Sequence, residues 1–562
     1  MMPAPRYRIA FIWFVVLAFA ANALPAAERL PGKSAVASAS PLATAAGHEI
    51  LAKGGNAFDA AVAITAALAV VYPTGSGLAG GGFYLLHRAS DGRDVMIDAR
   101  EKAPAAASRD MFLGPDGNPV PGLSLNSALA AGIAGEPAGM EHLVKEYGRL
   151  PLAVSLAPAI RLAHEGFPVS PHLRAVIEYK REVFAKQKEV APIWLRKGAA
   201  PALGTVIRQP QLARTLETLA KHGMRDFYEG AIARRLVAGV RKLGGIWTAE
   251  DLAAYRIVER APIVGDYRGA RIISAPPPSS GGIVLVEALN ILSGYDLAQL
   301  DSATRKHLII ASMRRGHRDR AVWLGDPDFV EMPVAELIHP YYAAGLRASI
   351  RLDRAMPSAE LPGILPAPQG PQTTHFSVLD AEGNRVAGTI TLNFLFGSGL
   401  VVPGTGLFLN NEMDDFSKKA GVPNGFQLVG NAANEIAPGK RMLSSMTPTF
   451  IESPRGLMIA GSPGGSYITG MVLLATLDFL DGRSAAEIVA APRIHHQYLP
   501  DVLQYERDAL TPNEIESLTK RGYTLRESKR GWGNLQVITW DYASGRVDAA
   551  SDPRGEGEGQ VY

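Results

Sequence analysis

Apolar residues along this chain fall into blocks whose spacing changes between helix and strand. Residues 34–50 and 54–71 predict two helices, and the second contains AFDAAVAITAALAVV, a run apolar all round that suits burial in a large core. After Pro73 and a glycine-rich stretch, FYLLHRA and VMIDARE predict the two strands of a β-hairpin. Residues 122–264 then predict mostly helices, and 302–352 return to a helical pattern.

The C-terminal half alternates between strand pairs and buried helices. GDYRGARIIS predicts a strand, and a double glycine opens the helix GGIVLVEALNIL. After the proline-rich stretch 361–371, HFSVLD and RVAGTITLN predict a hairpin around a polar turn. LMIAGS predicts a strand, SYITGMVLLATLDFL a buried helix, and LQVITWD with GRVDAASDPR a last hairpin. Because strands and helices come in blocks, the pattern favours an α+β layered sandwich over a doubly wound parallel sheet.

The N-terminus has the form of a secretory signal. Arg6 and Arg8 precede an apolar run over 9–20 and the small residues ANA at 21–23. The run is shorter than the about 20 apolar residues that a spanning helix needs. Residues 1–23 are therefore predicted to be a cleaved signal peptide, with an uncleaved anchor as the alternative. This interpretation predicts an exported protein, either periplasmic or secreted.

Charge and cysteine content exclude several classes of function. The 562 residues include 57 basic and 54 acidic side chains, so the net charge is only +3. Without a basic tract, the chain lacks the electrostatic footprint of a nucleic-acid-binding protein. It also has no cysteine, which excludes disulfides, thiol chemistry and thiolate metal sites.

Two motifs resemble binding sites but lack the required context. Gly75, Gly77 and Gly80 spell G-x-G-x-x-G, yet a helix precedes them and a strand follows, which is the reverse of a dinucleotide site. His495 and His496 are adjacent, so in a strand they would face opposite sides, and no third ligand stands at a metal-site spacing. We predict neither a nucleotide site nor a metal.

Three polar segments and one arginine are candidates for a substrate site. SPGGS, residues 462–466, lies between a strand and an apolar helix, where backbone N–H groups could hold a negative oxygen. Ser444 and Ser445 form a polar cluster, and LNNEMDDF at 409–416 offers carboxylates for an ammonium. Arg100 could clamp a carboxylate through its planar fork. From these stretches alone, tight turns, helix caps and solvated loops remain open.

Together these motifs resemble the γ-glutamyltransferase family of N-terminal-nucleophile hydrolases. The resemblance runs from GGNAFDAAVAITAALAVVYP to ASDPR and is densest in QTTHFSVLDAEGN, TLNFLFGSG, LNNEMDDFS, RMLSSMTPTF, GSPGGS and PRIHHQYLPD. It implies a four-layer αββα sandwich and a precursor that cleaves itself between Gln372 and Thr373. Residues 24–372 would become the large subunit and 373–562 the small subunit of a heterodimer.

The resemblance also implies a role for each candidate residue. Thr373 would be the nucleophile, and its α-amine, freed by the cleavage, would act as the base. No metal and no cofactor is implied. The remaining implied roles are a hydrogen bond to the nucleophile from Thr391, oxyanion stabilisation by Gly464 and Gly465, binding of a substrate α-carboxylate by Arg100, Ser444 and Ser445, and binding of its α-ammonium by Asn393, Glu412 and Asp415.

The implied substrates are a γ-glutamyl donor such as glutathione and, as acceptor, water, an amino acid or a peptide. Acylases that remove glutaryl groups and enzymes that process poly-γ-glutamate share the resemblance, and a non-catalytic binding protein on the same fold is a third interpretation. Two departures leave acceptor choice open. Phe426 stands where a lid tyrosine is usual, and AGIAGEPAGM replaces the usual AGIPGTVAG.

Overall fold

A computed structural model of the chain describes residues 29–361, 373–419 and 421–562. The predicted signal at 1–23 and the residue before the predicted cleavage site, Gln372, lie outside the described residues. Residues Pro31–Tyr562 fold as one unit. No helix in the described ranges combines the length and the apolar character needed to cross a membrane.

The strands are numbered here in chain order. They are β1 Ala35–Ser38, β2 Gly81–Arg88, β3 Arg93–Ala99, β4 Phe167–Pro168, β5 Val206–Ile207, β6 Val258–Arg260, β7 Ile263–Tyr267, β8 Ala270–Ser274, β9 Thr374–Leu379, β10 Arg385–Thr391, β11 Val401–Val402, β12 Leu407–Phe408, β13 Thr449–Ser453, β14 Gly456–Gly461, β15 Ile494–His495, β16 Leu503–Tyr505, β17 Leu525–Glu527, β18 Gln536–Asp541, β19 Val547–Ser551 and β20 Glu558–Val561.

The α-helices are numbered in the same way. They are α1 Pro41–Ala52, α2 Ala57–Val71, α3 Leu123–Asn126, α4 Glu136–His142, α5 Leu152–Glu165, α6 Pro171–Ala185, α7 Ala191–Trp194, α8 Pro210–His222, α9 Asp226–Glu229, α10 Ala231–Lys242, α11 Ala249–Ala254, α12 Gly281–Leu292, α13 Ser302–Trp323, α14 Val334–Leu337, α15 Pro340–Ala348, α16 Ile468–Leu480, α17 Ala485–Ala490 and α18 Pro512–Lys520.

Two antiparallel sheets form the centre of the fold. The first has the strand order β20-β1-β9-β10-β2-β3-β6, and the second has the order β19-β18-β14-β13-β8-β7. Strands from before and after residue 373 interleave in the first sheet, where β9 and β10 lie between β1 and β2, and they meet in the second sheet, where β13 pairs with β8. The two halves of the chain therefore share each sheet.

Side chains on the two faces of the first sheet belong to different cores. Tyr84 and Leu86 of β2 pack with α2 and its neighbours, whereas Phe83 and Leu85 pack towards the second sheet. This alternation follows the strand period of two. Helices α12, α13 and α16 join the second core. The layers run helix, sheet, sheet, helix, which confirms the predicted α+β sandwich.

Helix α2 shows how local sequence fixes one buried element. Asn56 caps the helix by accepting from the N–H groups of Phe58 and Asp59, and the Asp59 carboxylate accepts from the N–H of Asn56. This reciprocal capping box starts the helix two residues after the double glycine. Every residue from Ala57 to Val71 is buried, so the apolar pattern is confirmed.

Several expectations for the elements differ from the structure. The single helix predicted over 34–50 is wrong, because its first residues form β1 and the helix begins only at Pro41. Proline disfavours helical backbone at the residue before it, and Ser40 is extended. GDYRGARIIS, predicted as one strand, is the hairpin of β7 and β8, with its turn at Arg268 and Gly269. Strand β20 lies in a glycine-rich segment where no strand was predicted.

Candidate active site

One small cavity between the sheets and the loops at their edge contains most of the predicted site residues. It draws on the residue after β3, the residue before β9, the 409–416 segment and the loop before α16. Its lining residues are Arg100, Arg320, Thr373, Asn393, Glu412, Asp415, Phe426, Leu428, Leu443, Ser444, Ser445, Met446, Gly465 and Ile468. The structure therefore brings together residues that are more than 350 positions apart in the sequence.

The two predicted threonines lie side by side at one end of this cavity. Thr373 directly precedes β9, and Thr391 ends the antiparallel neighbour β10, whose register pairs Ile390 with Thr374. The Thr391 hydroxyl donates to Thr373 Oγ at 3.5 Å and accepts from the N–H of Asn393 at 2.7 Å. The sheet register thus orients a donor towards the predicted nucleophile.

Glycines let other backbone segments approach this pair closely. A Cβ on Gly75 would lie 3.0 Å from the carbonyl oxygen of Thr373, and one on Gly80 would lie 1.9 Å from that of Thr391. The helix α2 precedes these glycines and the strand β2 follows, as the sequence indicates. The glycine motif therefore makes room for the backbone around the predicted nucleophile.

The SPGGS segment forms the loop before α16. Gly464 has a φ of 142° and Gly465 a φ of 55°, both in the region that favours glycine. Ser462 Oγ accepts from the N–H of Asn534 at 3.1 Å, and Ser466 Oγ donates to Gln497 Oε1 at 2.7 Å. Gly465 lines the cavity. The two serines thus hold a glycine turn that borders the cavity.

Charged groups occupy the other end of the cavity. The buried Arg100 guanidinium donates to the carboxylate of Glu412 and, at 2.5 Å, to Asp415 Oδ2. Glu101 Oε2 lies 3.6 Å from Arg100 Nη1. Burial raises the pKa of Glu412 and raises that of Asp415 to about 6, while the nearby Arg100 charge opposes both shifts.

The paired asparagines explain why the 409–416 segment presents these acids. Asn410 donates to the carbonyls of Ala79 and Gly132, and Asn411 accepts from the N–H of Phe394. Asp414 points elsewhere, since it accepts from the hydroxyl of Ser124 and the N–H of Gly425. Two of the three acids therefore face the cavity, and the third braces the adjacent loop.

Ser445 and Asn393 complete the charged end. The Ser445 hydroxyl is buried and has no hydrogen-bond partner among the described residues, and the same is true of Glu412 Oε2. Asn393 has a φ of 75°, and its side chain donates to the carbonyl of Asn411 at 3.0 Å. Ser444 Oγ accepts from the N–H of Met446. The cavity that Arg100 lines thus contains an unused hydroxyl and an unused carboxylate oxygen.

Residues 421–430, called the lid here, close over the charged end. Phe426 is buried and stacks on Phe394, with ring centroids 4.6 Å apart and planes 17° apart. Asn424 accepts from the N–H of Phe426 and donates weakly to Asp415. Gln497 Nε2 donates to the carbonyl of Phe426 at 3.3 Å. Ring stacking and backbone hydrogen bonds hold this lid.

Two contributors to the site were missed by sequence reasoning. Gln497 connects the lid to Ser466, and Arg320 of α13 lines the cavity. The arginine-rich motif MRRGHRDR is typical of an exposed helix face, so the sequence did not indicate that Arg320 is buried. His495 and His496 lie near Gln497 and bond different partners, namely Gln497 and Asp501. Within the described ranges, no cluster of three or more His, Asp or Glu is placed to hold a metal ion.

The fold and the site together define an N-terminal-nucleophile hydrolase: a helix–sheet–sheet–helix sandwich with a threonine at the start of a central strand. The sequence profile of the Gamma-glutamyltranspeptidase family matches residues 43–562. A glutathione hydrolase proenzyme of Escherichia coli (strain K12) is 43% identical over 525 residues, covering 92% of this chain and 90% of that protein.

Solved structures agree with this assignment. A cephalosporin acylase from Bacillus halodurans has a TM-score of 0.82 at 29% identity and covers 97% of this chain and 99% of its own. The Helicobacter pylori gamma-glutamyltranspeptidase has a TM-score of 0.56 at 41% identity, covering 57% of this chain and 93% of its own. This chain belongs to the γ-glutamyltranspeptidase family.

Proposed function

We propose that this protein is a self-processing γ-glutamyltransferase and glutathione hydrolase. One observation carries the proposal: Arg100, Glu412 and Asp415 share a buried cavity with Thr373. A γ-glutamyl group has a carboxylate and an ammonium at one end and a reactive carbonyl at the other. The cavity has the matching order of charges and nucleophile.

Substrate binding exchanges the ion pairs of Arg100 within the protein for ion pairs with the two charges of the donor. Without substrate, Arg100 pairs with the carboxylates of Glu412 and Asp415. The α-carboxylate of a donor binds the Arg100 guanidinium. Its α-ammonium binds the two acids and Asn393. Ser445 supplies its unused hydroxyl to the carboxylate. A group lacking either charge leaves a buried partner unpaired, which favours true γ-glutamyl donors.

Self-processing creates the active nucleophile. The Thr373 hydroxyl attacks the carbonyl carbon of Gln372, the peptide C–N bond breaks, and an ester to Thr373 Oγ replaces it. Water hydrolyses that ester, which frees both the hydroxyl and the α-amine. An amide nitrogen is no base, whereas the freed amine accepts the hydroxyl proton in later turnovers.

Turnover then follows an acyl-enzyme route. Thr373 Oγ attacks the γ-carbonyl while its amine takes the proton, and Thr391 holds the hydroxyl through its hydrogen bond. The amides of Gly464 and Gly465 stabilise the negative oxygen of the tetrahedral intermediate. The leaving amine departs with the proton, leaving a γ-glutamyl ester. Water or an amino acid or peptide then takes the γ-glutamyl group.

The proposed subunits, 24–372 and 373–562, remain together after cleavage because their strands interleave. Strand β1 pairs with β20 and β9, and β10 pairs with β2, so separation breaks three antiparallel ladders in the first sheet alone. Strand β13 adds a fourth ladder with β8 in the second sheet. We therefore expect a stable heterodimer. The signal-like residues 1–23 support export to the periplasm or the medium.

A glutaryl acylase is the second candidate function, because a cephalosporin acylase shares the fold over nearly the full chain. A glutaryl group lacks the α-ammonium, so it leaves Glu412 and Asp415 without their ligand. Poly-γ-glutamate needs an open groove, and the lid over this cavity argues against one. A binding protein without activity has no use for the Thr391–Thr373 hydrogen bond.

Intact mass and donor choice test the proposal. We expect the purified mature protein to show two chains, with the smaller beginning at Thr373, and to release the amine from γ-glutamyl anilides far faster than from glutaryl anilides. A single uncut chain, or a preference for the glutaryl donor, would contradict it.

A further inference from the structure

Two buried arginines line the same cavity but differ in their partners. Arg100 lies between the carboxylates of Glu412 and Asp415. Arg320 is only 3% exposed, yet its one hydrogen bond within the described residues runs from Nε to Ser280 Oγ at 3.2 Å. No carboxylate of the described chain lies within 4 Å of it.

An unpaired buried cation is costly, because its hydration is lost without a compensating charge. Burial lowers the pKa of Arg320 to about 10, so the group is still charged at neutral pH. The negative charge of Asp415 raises the pKa of Arg320, and the positive charge of Arg100 lowers it. The Arg100 charge is already balanced by contacts within the protein, whereas the Arg320 charge is not. An anion that enters the cavity gains more from Arg320.

A short chain of hydrogen bonds places Arg320 beside the serine pair. Ser280 Oγ accepts from Arg320 Nε and donates to the carbonyl of Ser444 at 2.8 Å. The N–H of Ser280 donates to the same carbonyl at 2.9 Å. Ser445, the next residue, has the hydroxyl without a partner. The two terminal nitrogens of Arg320 and the Ser445 hydroxyl are thus donors on one wall that have no acceptor among the described residues.

We propose that Arg320 is a second guanidinium that binds the α-carboxylate of the γ-glutamyl donor, opposite Arg100 and beside Ser445. This inference rests on the proposed function and adds a specificity residue to it. In the complex, the substrate carboxylate lies between two guanidinium groups. The Arg320 charge then finds the partner that the protein itself does not provide, and the acids that Arg100 gives up pair with the ammonium.

Three donors that share one leaving group allow the contributions of the two substrate charges to be measured separately. The γ-glutamyl anilide has both charges, the glutaryl anilide keeps only the carboxylate, and the 4-aminobutanoyl anilide keeps only the ammonium. For Arg320→Gln we expect KM to rise about 10- to 100-fold for the first two donors, as the loss of a hydrogen bond between charged groups implies. The third donor should change little.

Arg315→Gln is the matched control. Arg315 lies on the same helix, is equally buried, and bonds Ser349 Oγ and the carbonyl of Ala311 without lining the cavity. Burial lowers its pKa to about 10 as well. The Arg315→Gln variant should leave the KM values of all three donors unchanged. The comparison therefore separates the general effect of removing a buried arginine from this helix from a specific effect on carboxylate binding.

Mass spectrometry first shows whether Arg320→Gln is processed into two chains. If it is not, Arg320→Lys provides the test, since it keeps the charge but loses the planar fork, and the same donor pattern with a smaller KM rise is expected. An equal loss for all three donors, or no rise for the glutamyl donor, would overturn the inference. If the wild type prefers the glutaryl donor, the proposed function fails, while the effect of Arg320 on a carboxylate is still measured.

Discussion

The two ends of the cavity differ in what holds their groups in place. At the reaction end, Thr373 and Thr391 are neutral side chains at the ends of paired strands, and Gly465 presents its backbone. At the recognition end, Arg100 is a charged side chain that pairs with the carboxylates of Glu412 and Asp415. Backbone hydrogen bonds fix the first end, whereas charge balance fixes the second.

This difference teaches how the two ends respond to change. A strand ladder keeps its geometry when one side chain is altered. A substitution at the reaction end should therefore abolish activity while leaving the fold intact. A buried ion pair, in contrast, depends on each partner, and removing one leaves an uncompensated charge. A substitution at the recognition end should therefore reduce activity only in part, by an amount that depends on the charges of the donor.

The largest effect is expected from Thr373→Ala. Both self-cleavage and acyl transfer need this hydroxyl, so the variant should remain one chain and lose at least about 10⁴-fold in activity. Thr373→Ser keeps the hydroxyl and the later amine and should retain part of both functions. Chain masses and release of the anilide leaving group measure the two effects. Normal cleavage of the alanine variant would remove Thr373 from the reaction end.

Arg100→Lys should come next. The ammonium cannot reproduce the planar fork that now reaches Glu412 and Asp415 together, so one acid loses its partner. We expect kcat/KM for the glutamyl donor to fall about 10²-fold, from the usual strength of charged hydrogen bonds. Cleavage into two chains should persist, because the sheet is untouched. A variant that is neither cut nor folded would show that Arg100 also supports the structure.

Asp415→Asn should give a smaller effect that depends on donor and pH. Burial raises the pKa of Asp415 to about 6, so below that pH the group gains a proton and loses the charge that attracts an ammonium. The donor KM of the wild type should therefore rise as pH falls through about 6. In the variant this dependence should disappear, with a loss of about 10-fold for the glutamyl donor. An equal loss for the glutaryl donor would exclude the ammonium role.

The fold was predictable where local pattern and tertiary packing agree. Helix α2 is apolar all round and has its capping box in the sequence, and the hairpin of β9 and β10 alternates around a polar turn. Strand β1 was not predictable, because Ala35 to Ser38 have no strand signal and are extended by pairing with β9 and β20. Strand β20 likewise depends on a partner more than 500 residues away.

For the site, the family resemblance gave the residues but not the contacts between them. It assigned Arg100 to the carboxylate and Asp415 to the ammonium, and no pattern indicated that the two bond each other when no substrate is present. Arg320 was missed because a run of arginines on one helix is typical of an exposed face. Its burial follows from the packing of α13 into the second core, which involves residues distant in sequence.

The lid connects the two ends, and its hold on them is weak. Gln497 bonds Ser466 beside the glycine turn and the carbonyls of Phe426 and Gln427 at 3.3 Å each. Asn424 reaches Asp415 at 3.4 Å. The N–H of Gly425 also bonds Asp414 at 2.7 Å, but neither residue lines the cavity, and the long contacts of the lid with the two ends resist opening little. Water should therefore compete well for the γ-glutamyl ester, and hydrolysis should form a large share of turnover.

Phe426→Tyr should give the smallest effect. The ring keeps its stack on Phe394, and an added hydroxyl with a partner within about 3 Å strengthens lid closure by one hydrogen bond. We expect the ratio of transfer to hydrolysis to rise about twofold with a dipeptide acceptor. Phe394→Leu removes the stack and should lower the same ratio. Both products are measured from one donor, with and without acceptor. If neither variant changes the ratio, the lid does not link acceptor choice to the two ends of the cavity.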